Sequence, residues 1–249
     1  MTAKMKILLL DIESAPNTAY VWGLFKQNIS ISQIVNSSEM LCWAAKWLGE
    51  DTVEFASIMG GKRKMLQRIH TLLNEADAVV HYNGSRFDIP TLNKEFLLAG
   101  MTPPAPYAQI DLLQTARRQF RFPSNKLDYV GQALGVGRKE GHEGFELWIK
   151  CMNRDKDAWE RMEAYNKQDV VLLEQVYFKF LPWIKNHPNR GVHSETPLVC
   201  PTCGSNEVRK RGFNVTKAGK YQRYQCNGCG SWSSQRTGAK LDELVLKTV

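Results

Sequence analysis

The chain has 249 residues, which is long enough for one good-sized domain and a small second one. Its first apolar run, MKILLL, is interrupted by Asp11 and is too short for a signal peptide or a membrane span, so we expect a soluble, cytoplasmic protein. The formal net charge of +8 favours a polyanionic partner, nucleic acid first, over a surface that is basic only for solubility.

The first predicted element is a buried strand, because residues 5–13, MKILLLDIE, form an apolar run that ends in acids. Side chains alternate faces along a strand, so Asp11 and Glu13 point to one side while Ile12 points into the core. Three segments with strand propensity follow, at residues 30–35, 40–48 and 52–58. We expect them to complete an antiparallel part of the sheet.

Helices and strands alternate in the next part of the chain. We predict helices over residues 62–75, 89–99, 113–120 and 124–134, and strands over residues 78–82 and 108–112. This order predicts a layered α/β fold, with Asp88 after its second buried strand. The loop at residues 135–144 contains four glycines and His142, the one histidine that we would test for a catalytic role.

Tyr165 and Asp169 lie four residues apart on a long predicted helix, residues 156–180, and therefore share one of its faces. Together with Asp11, Glu13 and Asp88 they make a set of four carboxylates and one phenol. Carboxylate oxygens suit Mg²⁺ or Mn²⁺ better than zinc, and a pair of such ions can cut a phosphodiester. A phenol normally ionises only at a pH of about 10, so we expect Tyr165 to orient water or phosphate rather than to act as a free base.

Three short motifs together resemble those of the DEDD superfamily of 3′-5′ exonucleases, in its tyrosine-bearing branch. The motifs are DIES at residues 11–14, HYNGSRFD at residues 81–88 and YNKQD at residues 165–169. The histidine that marks the other branch would stand five residues before Asp169, where this chain has Ala164. The resemblance covers about residues 5–181 of the chain. The exonuclease domain of family B DNA polymerases is among the domains that this part of the chain resembles. It implies a ribonuclease H-like α/β fold, with a mixed five-stranded sheet and flanking helices.

The resemblance also implies roles for individual residues. The acids Asp11, Glu13, Asp88 and Asp169 would ligate two Mg²⁺ or Mn²⁺ ions, with Tyr165 near the nucleophilic water. Four further residues are candidates for substrate contact: Ser14, Asn83, Phe87 and Lys126. Three of these residues also have a structural interpretation: Asn83 would form a turn, Phe87 would lie in the core, and Lys126 would be a solvated lysine at the start of a helix. Ser14 stands where the family often has threonine.

Residues 182–197, PWIKNHPNRGVHSETP, contain three prolines and mostly polar residues, which predicts a linker. We therefore expect an exonuclease-like domain at residues 1–181 and a second, smaller module at residues 198–249.

The second module contains two Cys-x-x-Cys pairs, Cys200 with Cys203 and Cys226 with Cys229, and each pair is followed by glycine. Tight turns of this kind aim backbone amides at the sulfurs and assemble four soft ligands, which predicts one structural Zn²⁺ in a zinc ribbon. Disulfides are the less favourable alternative in a reducing cytosol.

Most of the positive charge also lies in this module. Residues 190–249 hold 10 Lys and Arg against 4 Asp and Glu, whereas residues 1–189 hold 23 against 21. Aromatic residues alternate with the cations between the cysteine pairs, and the segment resembles the zinc ribbons fused to transposases and other DNA-acting proteins. Nucleic-acid binding is the favoured role, and a structural role or protein docking are the alternatives.

The combined prediction is a two-metal 3′-5′ exonuclease that shortens single-stranded or frayed DNA, with a zinc ribbon that aids DNA binding. Three alternatives stay open: an RNA-trimming exoribonuclease, a structure-selective endonuclease, and a non-catalytic adaptor that binds DNA or a polymerase. The complete set of acids argues against the adaptor, and Tyr165, Asn83 and Phe87 favour an exonuclease over an endonuclease. Any proofreading role would require a replication or repair protein as a partner.

Overall fold

The computed structural model describes residues 5–138, 141, 144–196, 198–216 and 219–235. His142 lies outside the described residues. The chain divides into two compact units, Lys6–Tyr177 and a smaller one formed mainly by the residues from Phe178 onward. The domain limits predicted from the sequence, 1–181 and 198–249, stay a proposal.

The first unit contains a mixed five-stranded sheet and a separate pair of short strands. In chain order, the strands of these two sheets are β1 (Ile7–Ser14), β2 (Thr18–Ala19), β3 (Ile34–Asn36), β4 (Met40–Trp47), β5 (Glu54–Ser57), β6 (Ala78–His81) and β7 (Ala108–Asp111). The main sheet has the order β5-β4-β1-β6-β7, in which β1 runs antiparallel to β4 and parallel to β6. The predicted mixed sheet with flanking helices is therefore confirmed, and β1, which carries two of the candidate acids, lies at its centre.

Residues 30–35 do not join this sheet, contrary to the prediction. Ile31–Gln33 form a 3₁₀ turn, and β3 pairs with β2 in a separate two-stranded sheet. Ile31 is 89% exposed and Val35 48% exposed, so the apolar face of this segment is not buried against the main sheet. Strand propensity alone was misleading here because the tertiary structure offers no partner for that face.

The helices of this unit flank the sheet. They are α1 (Lys62–Glu75), α2 (Asp88–Leu98), α3 (Leu112–Gln119), α4 (Leu127–Ala133), α5 (Phe145–Met152) and α6 (Lys156–Phe180). No described helix is long and apolar enough to cross a membrane. The short helix α5 was not predicted, although it buries Leu147 and Cys151, which lie four residues apart on one face.

Two separate clusters of buried side chains cover the two faces of the sheet. Leu8, Leu10 and Ile12 of β1 pack with residues of α1 and α2 in one cluster. The other cluster contains residues of β4, α5 and α6, Tyr165 among them. Because side chains alternate along a strand, Asp11 and Glu13 point away from the α1 and α2 cluster.

A buried ion pair fixes α6 beside the sheet. Lys46 of β4 binds Glu174 of α6, and both side chains are only 7% exposed. The second carboxylate oxygen of Glu174 accepts a hydrogen bond from the amide of Gly49, at 2.9 Å. Removing one partner of such a pair would leave a buried charge, which typically costs about 3–5 kcal/mol. This pair therefore restrains the helix that carries Tyr165 and Asp169.

The second unit contains a small antiparallel sheet. Its strands are β8 (Val208–Thr216), β9 (Gly219–Cys226) and β10 (Trp232–Ser234), in the order β10-β9-β8. The four cysteines lie at two turns outside the strand centres, one before β8 and one after β9. Few large apolar side chains are buried here, so the unit depends on its turns more than on a core.

Candidate active site and metal centres

Three of the candidate acids lie together between β1 and α6. One carboxylate oxygen each from Asp11, Glu13 and Asp169 lies within 4.8 Å of the others. Asp169 is 1% exposed, whereas the two acids of β1 are half-buried. The strand and the helix thus bring the first and third sequence motifs to one place, with donor oxygens that suit Mg²⁺ or Mn²⁺.

Asp88 is the first residue of α2 and lies beside β1, but its oxygens are not part of that group of three. Its Oδ1 accepts a hydrogen bond from the amide of Ile12, at 3.2 Å. Burial raises the pKa of Asp88 to about 7, although the backbone amides of Ile12 and of Asp88 itself favour the ionised form. A cation bound beside this carboxylate would favour the ionised form as well.

Gly84 allows the loop between β6 and α2 to fold tightly over His81. A Cβ at position 84 would lie 2.4 Å from Cγ of His81, which is closer than real contacts allow. The amide of Gly84 donates to Nδ1 of His81 at 3.1 Å, which leaves Nε2 to donate to Oε1 of Gln109 at 3.3 Å. Burial lowers the pKa of His81, so the neutral ring is favoured and its hydrogen bonds give it a structural role.

Asp111, at the end of β7, anchors the same loop. It accepts hydrogen bonds from the amide of Asn83 at 3.0 Å, from the hydroxyl of Ser85 at 2.8 Å and from the amide of Leu113 at 3.0 Å. Asn83 has a positive φ of 71°, so its backbone makes the turn itself. The structure therefore places Asn83 in a tightly fixed turn. Asp111 was not among the residues predicted from the sequence, although its position directly before α3 is typical of a helix N-cap.

Asn166 is a further residue that the sequence did not single out. Its Nδ2 donates to Oδ2 of Asp11 at 2.7 Å, between residues 155 positions apart in the chain, and its side chain is fully buried. Asn166 and Asp169 are three residues apart on α6 and thus share a face. The spacing could have indicated this residue, but its partner on β1 depends on how the helix packs.

Tyr165 packs inside the cluster around α5 and α6 and is 7% exposed. Its ring makes an edge-to-face contact with Trp148 of α5, with centroids 6.1 Å apart. Pairs of this kind contribute about 0.5–1.5 kcal/mol beyond the burial of area. The contact restrains the ring of Tyr165 one turn of helix away from Asp169.

A cleft of about 470 Å³ contains two of the predicted substrate contacts, Ser14 and Phe87. Phe145 and Trp148 of α5 also line it, and we call it the aromatic cleft. Phe87 is 44% exposed, so it is not the core residue of the alternative interpretation. The Oγ of Ser14 is buried without a hydrogen-bond partner among the described residues, so a ligand can still bind this hydroxyl.

A second cleft, of about 540 Å³, has Asp11 in its wall and also contains Lys126, the remaining predicted contact. Arg117, Asn125 and Tyr82 line it as well, and we call it the basic cleft. Lys126 lies immediately before α4, and Arg117 lies in the last turn of α3. Asp11 therefore shares this cleft with two cationic side chains contributed by other elements.

The four cysteines of the second unit lie in two matching turns. The amide of Gly204 donates to the carbonyl of Cys200 and that of Gly230 to the carbonyl of Cys226, both at 2.9 Å. Both glycines have left-handed backbones, with φ of 80° and 81°. The four sulfur atoms, of Cys200, Cys203, Cys226 and Cys229, lie within 4.8 Å of one another. Four thiols at this spacing fit a tetrahedral zinc site, as predicted.

Hydrogen bonds already favour a thiolate at one of these positions. Burial opposes ionisation of Cys200, but the hydroxyl of Ser231 and the backbone amides of Thr202 and Cys203 outweigh it and lower the pKa to about 7. The Oγ of Ser231 lies 3.1 Å from the sulfurs of both Cys200 and Cys229. Since zinc binds the thiolate form, this environment suits a metal centre.

The sheet of the second unit exposes aromatic rings with cations above them. The Nζ of Lys220 lies 4.0 Å from the ring centre of Phe213, and the guanidinium of Arg223 lies 5.2 Å from that of Trp232. Both rings are about half exposed. Flat rings beside positive charge are suited to stacking on bases while phosphates are contacted.

Comparisons with known proteins bear on the first unit most strongly. A family model described as RNase_H superfamily matches residues 8–181. A DNA polymerase of Pyrococcus glycovorans is 24% identical over 205 residues, which cover 72% of this chain and 25% of the polymerase. The chain therefore spans about a quarter of the length of this relative.

Among solved structures, the family B DNA polymerase from the hyperthermophilic archaeon Pyrobaculum calidifontis is similar in fold. It aligns with a TM-score of 0.54 and 17% sequence identity, over 78% of this chain and 28% of the polymerase. At this identity the likeness concerns the fold. The family match over residues 8–181 supports a nuclease-like role for the chain.

Proposed function

Because the chain belongs to the RNase H superfamily, we propose that it is a metal-dependent 3′-5′ exonuclease that shortens single-stranded DNA or frayed DNA ends. The observation that carries this proposal is the group formed by Asp11, Glu13 and Asp169, with Asp88 bound to the adjacent backbone of β1. Carboxylates that converge from a central strand and two helices are expensive to hold together without cations, since like charges repel. Their convergence is therefore best explained by metal binding.

Asp11, Glu13, Asp88 and Asp169 would hold two divalent cations, Mg²⁺ or Mn²⁺. When bound, such ions activate water, stabilise the leaving oxygen and neutralise charge on the phosphate. The protein holds the ligands in position: Asn166 restrains the carboxylate of Asp11 through its 2.7 Å hydrogen bond. Tyr165, held by Trp148, would use its hydroxyl to orient water or a phosphate oxygen.

The aromatic cleft would take the terminal nucleotide. Phe87 and Trp148 offer faces for a sugar or base, and the unsatisfied hydroxyl of Ser14 offers a hydrogen bond. Ser14 directly follows Glu13 on β1, so a nucleotide bound in this cleft would lie near the acids of that strand. A cleft that holds one terminal nucleotide would favour removal from an end over cutting within a strand.

The second unit would aid nucleic-acid binding. Cys200, Cys203, Cys226 and Cys229 would hold one Zn²⁺, which replaces the missing core as the source of stability. Its sheet carries pairs of a cation and an aromatic ring. Residues 190–249 contain 10 Lys and Arg but only 4 Asp and Glu, and this positive charge suits a polyanion.

Active-site variants test the proposal. We expect wild-type protein with Mg²⁺ or Mn²⁺ to shorten 5′-labelled single-stranded DNA in steps of one nucleotide, and Asp11→Asn and Asp169→Asn to lose this activity by about a thousandfold or more. Asp157→Asn is a matched control, because it removes a carboxylate from the first turn of the same helix, away from the group of three. Activity in both active-site variants at the wild-type rate would exclude the carboxylates as the catalytic centre. RNA and circular DNA, tested in parallel, separate an exoribonuclease and an endonuclease from the proposed enzyme.

A further inference from the structure

Two cations of the basic cleft have no acidic partner among the described residues. Some other Lys and Arg side chains of this unit do pair with carboxylates, as Arg68 does with Glu54. Within the described part of the chain, neither Arg117 nor Lys126 takes part in an ion pair, although both are exposed. Unpaired cations that share a cleft with an acidic centre are available for an anionic ligand.

The sequence around these two residues reinforces the positive charge. Residues 112–127 contain Arg117, Arg118, Arg121 and Lys126 but no acid. Asp128 also lines the basic cleft, but its Oδ2 already accepts a hydrogen bond from Gln132, at 2.8 Å. Arg117 and Lys126 therefore place two positive charges in the same cleft as Asp11, where they would hold the phosphates of a strand whose backbone lies along α3 and α4.

The wall of the cleft that carries these two cations is held rigidly by the second sequence motif. The hydroxyl of Tyr82 donates to the backbone carbonyl of Asn125 at 2.8 Å, so it ties the residue before Lys126 to the end of β6. Leu113 and Leu127, which flank the wall, are buried. A wall fixed in this way loses little conformational freedom when it binds a ligand.

Asn125 adds an independent sign of a ligand. Asn125 lines the basic cleft, and its Oδ1 is buried without a hydrogen-bond partner among the described residues. A buried amide oxygen without a partner is unfavourable, and a bound ligand that donates a hydrogen bond would relieve this cost. Rotating the amide by a half turn exchanges its oxygen and nitrogen, so the same position can also donate to a phosphate oxygen.

We propose that Arg117 and Asn125, together with Lys126, form a phosphate-binding wall that holds the backbone of the substrate strand beside the carboxylates. The inference rests on the proposed nuclease function and adds the path of the strand to it. Arg117, a residue outside all three motifs, supplies the fork of donors that suits a phosphate.

Kinetics on a single strand test the wall. In the full chain with Mg²⁺, we expect Arg117→Gln to raise KM for a 20-nucleotide poly(dT) about tenfold and to change kcat less than twofold, since the contact is to the backbone and not to the reacting atoms. The slope of log KM against log salt concentration should fall by about 0.7, the amount expected for one phosphate contact on a single strand. Arg117→Lys, which keeps the charge, should restore the salt slope and most of KM.

Arg63→Gln is the matched control, because Arg63 is exposed on α1, has no ion pair among the described residues and lines neither cleft. It should leave KM and its salt slope unchanged. If wild-type protein cleaves but Arg117→Gln equals Arg63→Gln in both quantities, the wall is wrong and the nuclease proposal stands. If wild-type protein does not cleave, fluorescence anisotropy with labelled poly(dT) in EDTA still decides: weaker binding by Arg117→Gln than by Arg63→Gln supports the wall, and equal binding refutes it.

Discussion

Replacing Gly84 with alanine tests how the loop carrying Asn83, Phe87 and Asp88 is built. A Cβ at position 84 would lie 2.4 Å from Cγ of His81 and 2.7 Å from its Cβ and Nδ1. The histidine is fully buried, and its ring is bound to the amide of Gly84 and to Gln109. It therefore cannot withdraw without breaking those hydrogen bonds.

Two effects should lower the stability of the Gly84→Ala variant. Forcing an extra methyl group into a packed interior costs about 1–3 kcal/mol. Leaving the polar atoms of the buried ring unsatisfied adds about 1–3 kcal/mol. We expect Gly84→Ala to lower the free energy of unfolding by about 2–6 kcal/mol, a large part of the roughly 5–15 kcal/mol of a typical domain.

Urea unfolding followed by circular dichroism measures this change. Gly60→Ala is the matched control, because no atom lies within 4 Å of a Cβ added there, and its φ is not in the left-handed region. We expect the control to remain within about 1 kcal/mol of wild type. A Gly84→Ala variant as stable as Gly60→Ala would refute the close packing of residue 84 against His81, and with it the proposed construction of the loop.

Three further predictions address other parts of the account. Asn166→Ala should lower kcat by about 10- to 100-fold and raise the Mg²⁺ concentration needed for half-maximal activity, because Asp11 loses its 2.7 Å hydrogen bond from Asn166. Titration with Mn²⁺ by calorimetry should show that the variant binds the metal more weakly. Unaltered Mn²⁺ binding would contradict this role of Asn166. Metal analysis should find one Zn²⁺ per wild-type chain and none in Cys203→Ser, whereas Cys151→Ser, outside the four-thiol group, should keep its zinc. Burial lowers the pKa of His81 below its ordinary 6.5. The neutral histidine therefore contributes to stability above pH 6.5, and this contribution is lost as the pH falls through the lowered pKa. Urea unfolding at pH 7.5 and 5.5 should show a smaller difference in His81→Asn than in wild type, and an equal difference would show that His81 does not titrate in this way.

Much of the candidate site followed from local periodicity in the sequence. Alternation along β1 correctly placed Asp11 and Glu13 on one side and Ile12 in the core. Helical spacing placed Tyr165 and Asp169 together on α6, and the structure brings Asp169 to the acids of β1. These placements depend on the regular geometry of single elements, which is why sequence patterns reveal them.

The supporting residues depend on packing between elements and could not be read in the same way. Asn166 meets Asp11 across 155 positions of the chain, and Arg117 shares a cleft with Asp11 only because α3 lies beside the end of β6. The error at residues 30–35 has the same origin, since strand propensity does not say whether a partner strand is available.

The first product released from a strand labelled at its 3′ end tests the central claim most directly. A 3′-5′ exonuclease with its acids at Asp11, Glu13, Asp88 and Asp169 should release labelled mononucleotides as the first product, in the presence of Mg²⁺ or Mn²⁺ and not in EDTA. Labelled products several nucleotides long at the earliest times would instead indicate cutting within the strand. Absence of any labelled product with either metal would contradict the proposed enzyme.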